Sequence, residues 1–530
     1  LSINPIQLEL FKNRFISVAE EMGVTLQRTA FSPNIKERRD YSCALFSESG
    51  ELIAQAAHIP VHLGSMPMSV RSAIAFVGEK GWHPGDMVML NDPFRGGTHL
   101  PDITLVAPVF VGGQGPLFFL ANRAHHADVG GMTPGSMPLS RSLYQEGIII
   151  PPVFFVKRGE LDEEIQKLLL ANVRTPEERT GDFAAQLMAN RTGVSRMQGL
   201  IGSFGLQKVQ QAALALVDYA ETLTRQAIGR IPDGTYSFCD EMEDDGFGNK
   251  GLCIRVRVDI HGDGATVDFS GTAGQTTGSI NAVEAITHSA VLYVFRCLVE
   301  RQIPANAGCM RPVRVICPLG TLVNARFPAA VAGGNVETSQ RIVDVLFGAL
   351  SQALPEKIPA ASQGTMNNLT IGGIDPRNGQ PYAYYETLGG GCGGGPGFAG
   401  ESAIHSHMTN TMNTPVEALE YAYPFRAIRY AIRAQSGGAG EFPGGDGLVR
   451  ELEVLGDAQV TMLSERRVKG AYGLFGGDAG KPGENLVLQQ GSWTLMPSKF
   501  HASVSSGSRV RVETPGGGGF GTKQTQEGKG

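Results

Sequence analysis

Asp92-Pro93-Phe94-Arg95-Gly96-Gly97-Thr98-His99-Leu100-Pro101-Asp102 joins two apolar runs of strand length, Met87-Val88-Met89-Leu90 and Ile103-Thr104-Leu105-Val106. A third run, Pro116-Leu117-Phe118-Phe119-Leu120, continues through Ala121-Asn122-Arg123 into Ala124-His125-His126-Ala127-Asp128-Val129-Gly130-Gly131. Short apolar runs punctuated by glycine and proline read as strands. The pattern predicts a sheet whose strand ends carry histidines and aspartates, a common place for functional groups on a rigid frame. Only 11 histidines occur in the chain, and three fall here. Imidazole and carboxylate together suit a divalent ion of the zinc or manganese type.

His99 and Asp102 are three residues apart across Pro101, so a turning segment can aim both at one ion. His125 and His126 are adjacent and on a strand point to opposite faces. One of the two is expected to join the ion, and sequence leaves open which. Gly96-Gly97 and Gly130-Gly131 let the two loops approach. Asp40, after Lys36-Glu37-Arg38-Arg39, offers a further oxygen. The plainer reading, loop histidines satisfied by ordinary hydrogen bonds, competes with the metal reading on these residues alone.

Outward from this stretch the signals alternate. Asn4-Pro5 caps a predicted helix whose Leu8, Phe11, Phe15, Val18 and Met22 share one face, the pattern of a helix packed on a core. Residues 161–228 read as helical, with a restart at Thr175-Pro176. Gly251–Ile260 and Ala265–Phe269 flank a His-Gly-Asp-Gly turn and predict a hairpin. Ala282–Glu300 and Glu337–Leu354 read as helices. The last third is glycine-rich and strand-like, with turns at Asp446-Gly447 and Pro482-Gly483. The expected fold is multidomain α+β, with short-strand mixed sheets around a central helical segment. Composition shifts suggest a metal-site domain over 1–230, an α+β domain over 231–375, a glycine-rich β domain over 376–521, and a polar tail over 522–530.

At 530 residues the chain exceeds one ordinary core. Its formal net charge of -6 argues against nucleic acid as a partner. Seven scattered cysteines form no C-x-x-C pair, which predicts reduced thiols in a cytoplasmic protein. No segment reads as a signal peptide or a membrane span, so no membrane partner is expected.

A second constellation is Gly389-Gly390-Gly391-Cys392-Gly393-Gly394-Gly395, followed by Ala403-Ile404-His405-Ser406-His407. Such a loop either presents N–H groups to an anion or only permits close packing. On a strand, His405 and His407 would share one face, lining a pocket. Arg95 is a further candidate for phosphate or carboxylate. No Walker A loop is present: Phe475 stands where its first glycine belongs, and Pro482 replaces the Ser/Thr that reaches magnesium. The Gly-x-Ser-x-Gly elbow of serine hydrolases is also missing.

Several stretches together resemble the B subunit of the hydantoinase/oxoprolinase family: Arg38-Arg39-Asp40-Tyr41-Ser42-Cys43, Asn91-Asp92-Pro93-Phe94 through Asp102, and Ala124 through Gly131. Phe327-Pro328-Ala329-Ala330-Val331 through Asn335-Val336-Glu337-Thr338-Ser339 and His407-Met408-Thr409-Asn410-Thr411 complete the match. The resemblance implies an ATP-dependent enzyme of two subunit types, with ATP bound by an A-type partner and two copies of each subunit. The B type would hold the metal through Asp40, His99, Asp102 and His125, with His126 the alternative in the last place. Asp128 or His126 would shuttle a proton. Members of the family open hydantoins, 5-oxoproline or lactams. Two alternatives are a subunit of an ATP-dependent ketone carboxylase and a metal-free scaffold for the ATPase.

Overall fold

A computed structural model of the chain describes residues 3–113, 115–299 and 303–523. The first sheet uses β1 (Tyr41–Ser47), β2 (Leu52–Gln55), β3 (Met87–Leu90), β4 (Asp102–Val109), β5 (Phe118–His125), β6 (Val153–Lys157) and β7 (Glu160–Leu161). Its order is β2-β1-β5-β4-β3-β6-β7, with every neighbouring pair antiparallel. All eight residues of β4 and all eight of β5 are buried, as fits strands at the centre of a covered sheet.

Helices α1 (Pro5–Thr29), α2 (Pro33–Lys36), α3 (Met66–Val77), α4 (Glu163–Leu170), α5 (Pro176–Phe204) and α6 (Leu206–Ile228) surround this sheet. The Asn4 side chain accepts the Gln7 amide at 2.8 Å and starts α1. Phe11, Phe15, Val18 and Met22 are buried in one cluster with β1, α5 and α6, so the stripe is a core face. Burying each phenylalanine contributes about 1.5–3 kcal/mol. Helix α5 also grips the sheet with buried amides. Gln186 donates to the Ile103 carbonyl at 2.9 Å, and Asn190 donates to that of Leu105 at 3.1 Å.

The second sheet, in order β11-β10-β9-β8, contains β8 (Gly234–Asp244), β9 (Lys250–His261), β10 (Gly264–Asp268) and β11 (Val313–Ile316). The expected hairpin is β9–β10. Helix α8 (Ser339–Leu350) covers it, α7 (Glu284–Cys297) packs on α8, and a π-helical turn at Gly334–Thr338 leads into α8. Cys239 and Cys253, with Cα atoms 6.4 Å apart on β8 and β9, are joined as a disulfide. The expectation of seven free thiols is corrected here. Antiparallel pairing sets Cys253 opposite Glu241, one diagonal step from Cys239, a relation that linear spacing does not reveal.

The last third holds α9 (Val416–Ala422) and nine strands: β12 (Asn368–Ile374), β13 (Pro381–Glu386), β14 (Phe425–Arg433), β15 (Gly447–Val454), β16 (Ala458–Leu463), β17 (Glu484–Gln489), β18 (Ser492–Met496), β19 (Lys499–Val504) and β20 (Arg509–Glu513). They form sheets of order β13-β12-β16-β19 and β14-β15-β20-β17-β18. Position 375 falls in the turn of the β12–β13 hairpin. The tail from residue 524 lies outside the described residues. No helix among the described residues is long and apolar enough to cross a membrane.

Between these sheets the glycine-rich passages meet backbone to backbone. A Cβ on Gly391 would stand 1.9 Å from the Gly445 carbonyl oxygen, and one on Gly517 would stand 1.9 Å from that of Cys392. The loop amides are already used: Gly391 donates to Pro515, Cys392 to Glu401 and Gly394 to Gly518. Close packing, not anion capture, accounts for these glycines.

Candidate metal centre

Three strand ends meet at one edge of the first sheet. Asp102, the first residue of β4, is paired directly with His125, the last of β5. The His125 amide donates to the Asp40 carbonyl at 3.0 Å, just before β1 begins. Directly opposed residues on neighbouring strands project to one face, so this register brings Asp102 and His125 together. The His99-Leu100-Pro101 turn folds back so that the Asp102 amide donates to the His99 carbonyl at 3.1 Å. His99 Nε2, His125 Nδ1 and Asp102 Oδ1 then stand at the corners of a triangle with each side 3.2 Å. All three residues are buried.

The triangle frustrates hydrogen bonding. A carboxylate oxygen can accept from both imidazoles, but the two nitrogens would then face each other as donors. A cation removes that conflict. Bonds of about 2.0–2.1 Å in tetrahedral geometry place neighbouring donor atoms about 3.3 Å apart, close to the observed sides. Burial alone would raise the Asp102 carboxyl, yet His99, His62 and His125 hold it well below the usual carboxylate range. Burial lowers His125, opposed by Asp102 and Asp40. A neutral imidazole beside an ionised carboxylate is the donor state a metal requires. Within the described residues this is a group able to hold a metal ion.

Asp40 is buried beside this group, with its carboxylate 3.9 Å from the Arg38 guanidinium, and it is not among the three converging donors. His126 turns the other way, as strand alternation dictates. Its Nε2 meets Gln186 Oε1 at 2.9 Å and its ring packs on Phe183. Burial, then Arg179, push it down to about 4. The Asp128 carboxylate is occupied by the amides of Gly130, Gly135 and Arg174 and by the Arg174 guanidinium at 2.9 Å. Neither His126 nor Asp128 reaches the triangle.

Arg95 pairs with Asp92 at 3.3 Å on the surface. Residues 405–407 form no strand, and His407 has a left-handed φ of 56°, so the two histidines do not share a face. His407 packs on Phe347 and Tyr293. His405 is lowered to about 4 by burial and then by Arg38, and its ring nitrogens make no hydrogen bond.

Four neighbours escaped the sequence reading. His62 Nε2 lies 3.3 Å from Asp102 Oδ2, while its Nδ1 meets Ser42 Oγ at 2.8 Å. Thr98 Oγ1 donates to Asp102 Oδ2 at 2.6 Å. Asn335 Nδ2 lies 3.1 Å from His99 Nε2. The Tyr385 ring covers His125. Nearby, the Glu146 carboxyl is raised by burial to about 7, with Oε1 accepting from Ser140, Val331 and Ala332 and Oε2 unpaired. His62 sits in an apolar Pro-Val-His-Leu turn that reads as core, whereas Asn335 lies in a stretch the family resemblance had already marked.

Fold and site define a class: a multi-sheet α+β protein with a buried two-histidine, one-carboxylate cluster where neighbouring strands end. A sequence profile described as Hydantoinase B/oxoprolinase matches residues 4–523. The chain belongs to that family. It is 41% identical over 541 residues to 5-oxoprolinase 1 of Arabidopsis thaliana, covering 98% of this chain but 42% of the plant protein. The chain therefore spans about two fifths of the length of such relatives. The ATP-dependent caprolactamase of Pseudomonas jessenii superposes with a TM-score of 0.91 at 29% identity, covering 98% of this chain and 92% of that one. A nucleotide-free acetone carboxylase superposes with a TM-score of 0.89 at 18% identity, over 98% of this chain and 76% of that one, a likeness of fold.

Proposed function

We propose that this chain is the metal-bearing B-type part of an ATP-dependent cyclic-amide hydrolase, acting on 5-oxoproline, a hydantoin or a lactam. The observation that carries the reading is the 3.2 Å donor triangle of His99, Asp102 and His125. Identity to a 5-oxoprolinase and close likeness to a caprolactamase support the substrate class.

Amide resonance protects a ring carbonyl from attack. Phosphorylation of its oxygen by an A-type ATPase partner would remove that protection and create a leaving group. The greater length of the 5-oxoprolinases leaves room for such a part beyond the region matched here. His99, Asp102 and His125 would hold a zinc or manganese ion, with Asp40 the nearest further carboxylate. Such an ion supplies Lewis acidity at the reacting oxygen. Ser42 and His62 orient Asp102 from one side, and Thr98 does so through a hydroxyl. Tyr385 and Asn335 shape the floor beside the imidazoles. Glu146, titrating near neutrality, is able to hold or release a proton close to His99.

Co-expression with the neighbouring A-type chain, then assay of ATP turnover with 5-oxoproline, hydantoin and caprolactam, tests the proposal. Ring opening coupled to ATP hydrolysis is expected, and lost in Asp102→Asn. Bicarbonate dependence with labelled carbon in product would replace it with the carboxylase reading. Full turnover by a metal-free preparation would replace it with the scaffold reading.

A further inference from the structure

A second group of donors lies on α7 and the loop after β11, away from the strand-end cluster. Glu284 and His288 are one helical turn apart, so both side chains lie on one face of α7. Glu284 Oε1 and His288 Nε2 are 3.8 Å apart. Cys317, the residue that follows β11, brings its sulfur to the same point, and one donor atom from each residue lies within 4.8 Å of the others. We propose that Glu284, His288 and Cys317 form a second divalent-cation site, one that takes a thiophilic ion such as zinc.

The backbone around the three donors is built to hold them. The loop after Cys317 is stitched to the start of α7: Ala282 donates to Leu322 at 2.8 Å, Ala325 donates to Ala282 at 2.9 Å, and Thr287 Oγ1 donates to the Val323 carbonyl at 2.6 Å. Asn324 Nδ2 donates to the Cys317 carbonyl at 2.9 Å and stands 3.9 Å from its sulfur, where it would support a thiolate. Sulfur, nitrogen and oxygen donors together select zinc-like ions over magnesium or calcium. Three protein donors leave one position for solvent. Glu284 is exposed and His288 and Cys317 are partly buried, so the three donors are open to solvent.

Burial lowers His288, keeping its ring neutral. Burial, and then the Glu284 carboxylate, raise the Cys317 thiol to about 12. Coordination reverses this balance, because a bound divalent ion deprotonates a thiol outright. The ion would fasten the loop 317–325 to α7. That loop runs into the segment whose Val331 and Ala332 amides hold Glu146 and whose Asn335 meets His99. The ion would thus brace a loop that leads to residues touching the strand-end cluster.

The test uses the full chain stripped of metal and titrated with cobalt(II) alone. The strand-end cluster contains no sulfur, so a thiolate-to-cobalt charge-transfer absorption reports on the second site. The band is expected in the wild type and in Asp102→Asn, and lost in Cys317→Ser and His288→Ala of unchanged circular dichroism. A folded wild type with no such band overturns the proposal, as does a band that survives both variants. Should either variant misfold, alkylation of the wild type read by peptide mass spectrometry decides the matter: zinc should slow labelling of Cys317 several-fold, and an unchanged rate overturns the proposal.

Discussion

The ring of Tyr385 lies flat on the imidazole of His125, with centroids 4.5 Å apart and planes 17° from parallel. Its hydroxyl donates to Asn368 Oδ1 at 3.0 Å, and Asn368 in turn donates to Glu337 at 2.7 Å. The stack fixes the orientation of His125 from a strand more than two hundred residues away. Tyr385→Phe keeps the stack and should leave metal content unchanged. Tyr385→Ala frees the ring and should weaken metal affinity about tenfold or more, as removal of an outer-shell support does. Metal titration of the two variants checks this.

The neighbouring histidines give a cleaner discrimination. His125→Ala or Asp102→Asn removes a corner of the donor triangle, so in a Cys317→Ser background, which removes the second proposed site, bound zinc or manganese should fall to about a tenth or less of that parent. His126→Ala should keep its metal and lose thermal stability instead, because it abandons Gln186 and opens space against Phe183. Elemental analysis of dialysed protein reads the first effect and thermal unfolding the second. Full metal in His125→Ala with loss in His126→Ala would reverse the assignment.

Gly391→Ala probes the backbone contacts of the last third. The new methyl would meet the Gly445 oxygen at 1.9 Å and the Gly517 nitrogen at 2.3 Å, and neither has a side chain to move. The cost should exceed about 4 kcal/mol and appear as insoluble protein or a strongly reduced denaturation midpoint. Gly397→Ala is a contrasting control for space, with nothing within 4 Å of the added carbon, although its φ of +88° makes a smaller backbone penalty expected.

Asp240 sets part of the acid limit. Its carboxylate lies 2.7 Å from Arg466 and 3.3 Å from Arg341 on α8. Burial would raise it, but the two guanidiniums win and hold it down at about 2. A carboxyl depressed by folding stabilises above its unfolded pKa and loses that contribution as pH falls through the folded value. Relative to Asp240→Asn, the wild type should gain about 2 kcal/mol at neutral pH from this linkage. The advantage should shrink between about pH 4 and pH 2, as urea unfolding at several pH values would show.

Much of this was legible in the sequence because it is local. The Asn4 cap, the stripe on α1 and the β9–β10 hairpin all follow from periods and turns within a few residues, whereas the choice between the adjacent histidines stayed open. His99, Asp102 and His125 were visible because the strands that carry them are close in the chain. His62 was not, since it reaches Asp102 from a turn 40 residues upstream whose neighbours are apolar. Long-range pairing also hid the Cys239–Cys253 link. The expected strand through His405 and His407 failed because a left-handed residue breaks the alternation on which it rested. The glycines announced close contact, but nothing in their order names Gly445 and Gly517 as the surfaces that Gly391 meets.

Residues 515–521 supply acceptors to passages made far earlier: Pro515 to Gly391, Gly517 to Gly438, Gly518 to Gly394, Gly519 to Leu474 and Gly521 to Glu441. They behave as a drawstring through loops that have no side chains with which to hold one another. On the ribosome, these particular bonds of the earlier glycine passages can form only after this run has emerged. Synthesis order, and not only thermodynamics, thus governs when the final third of the molecule can close.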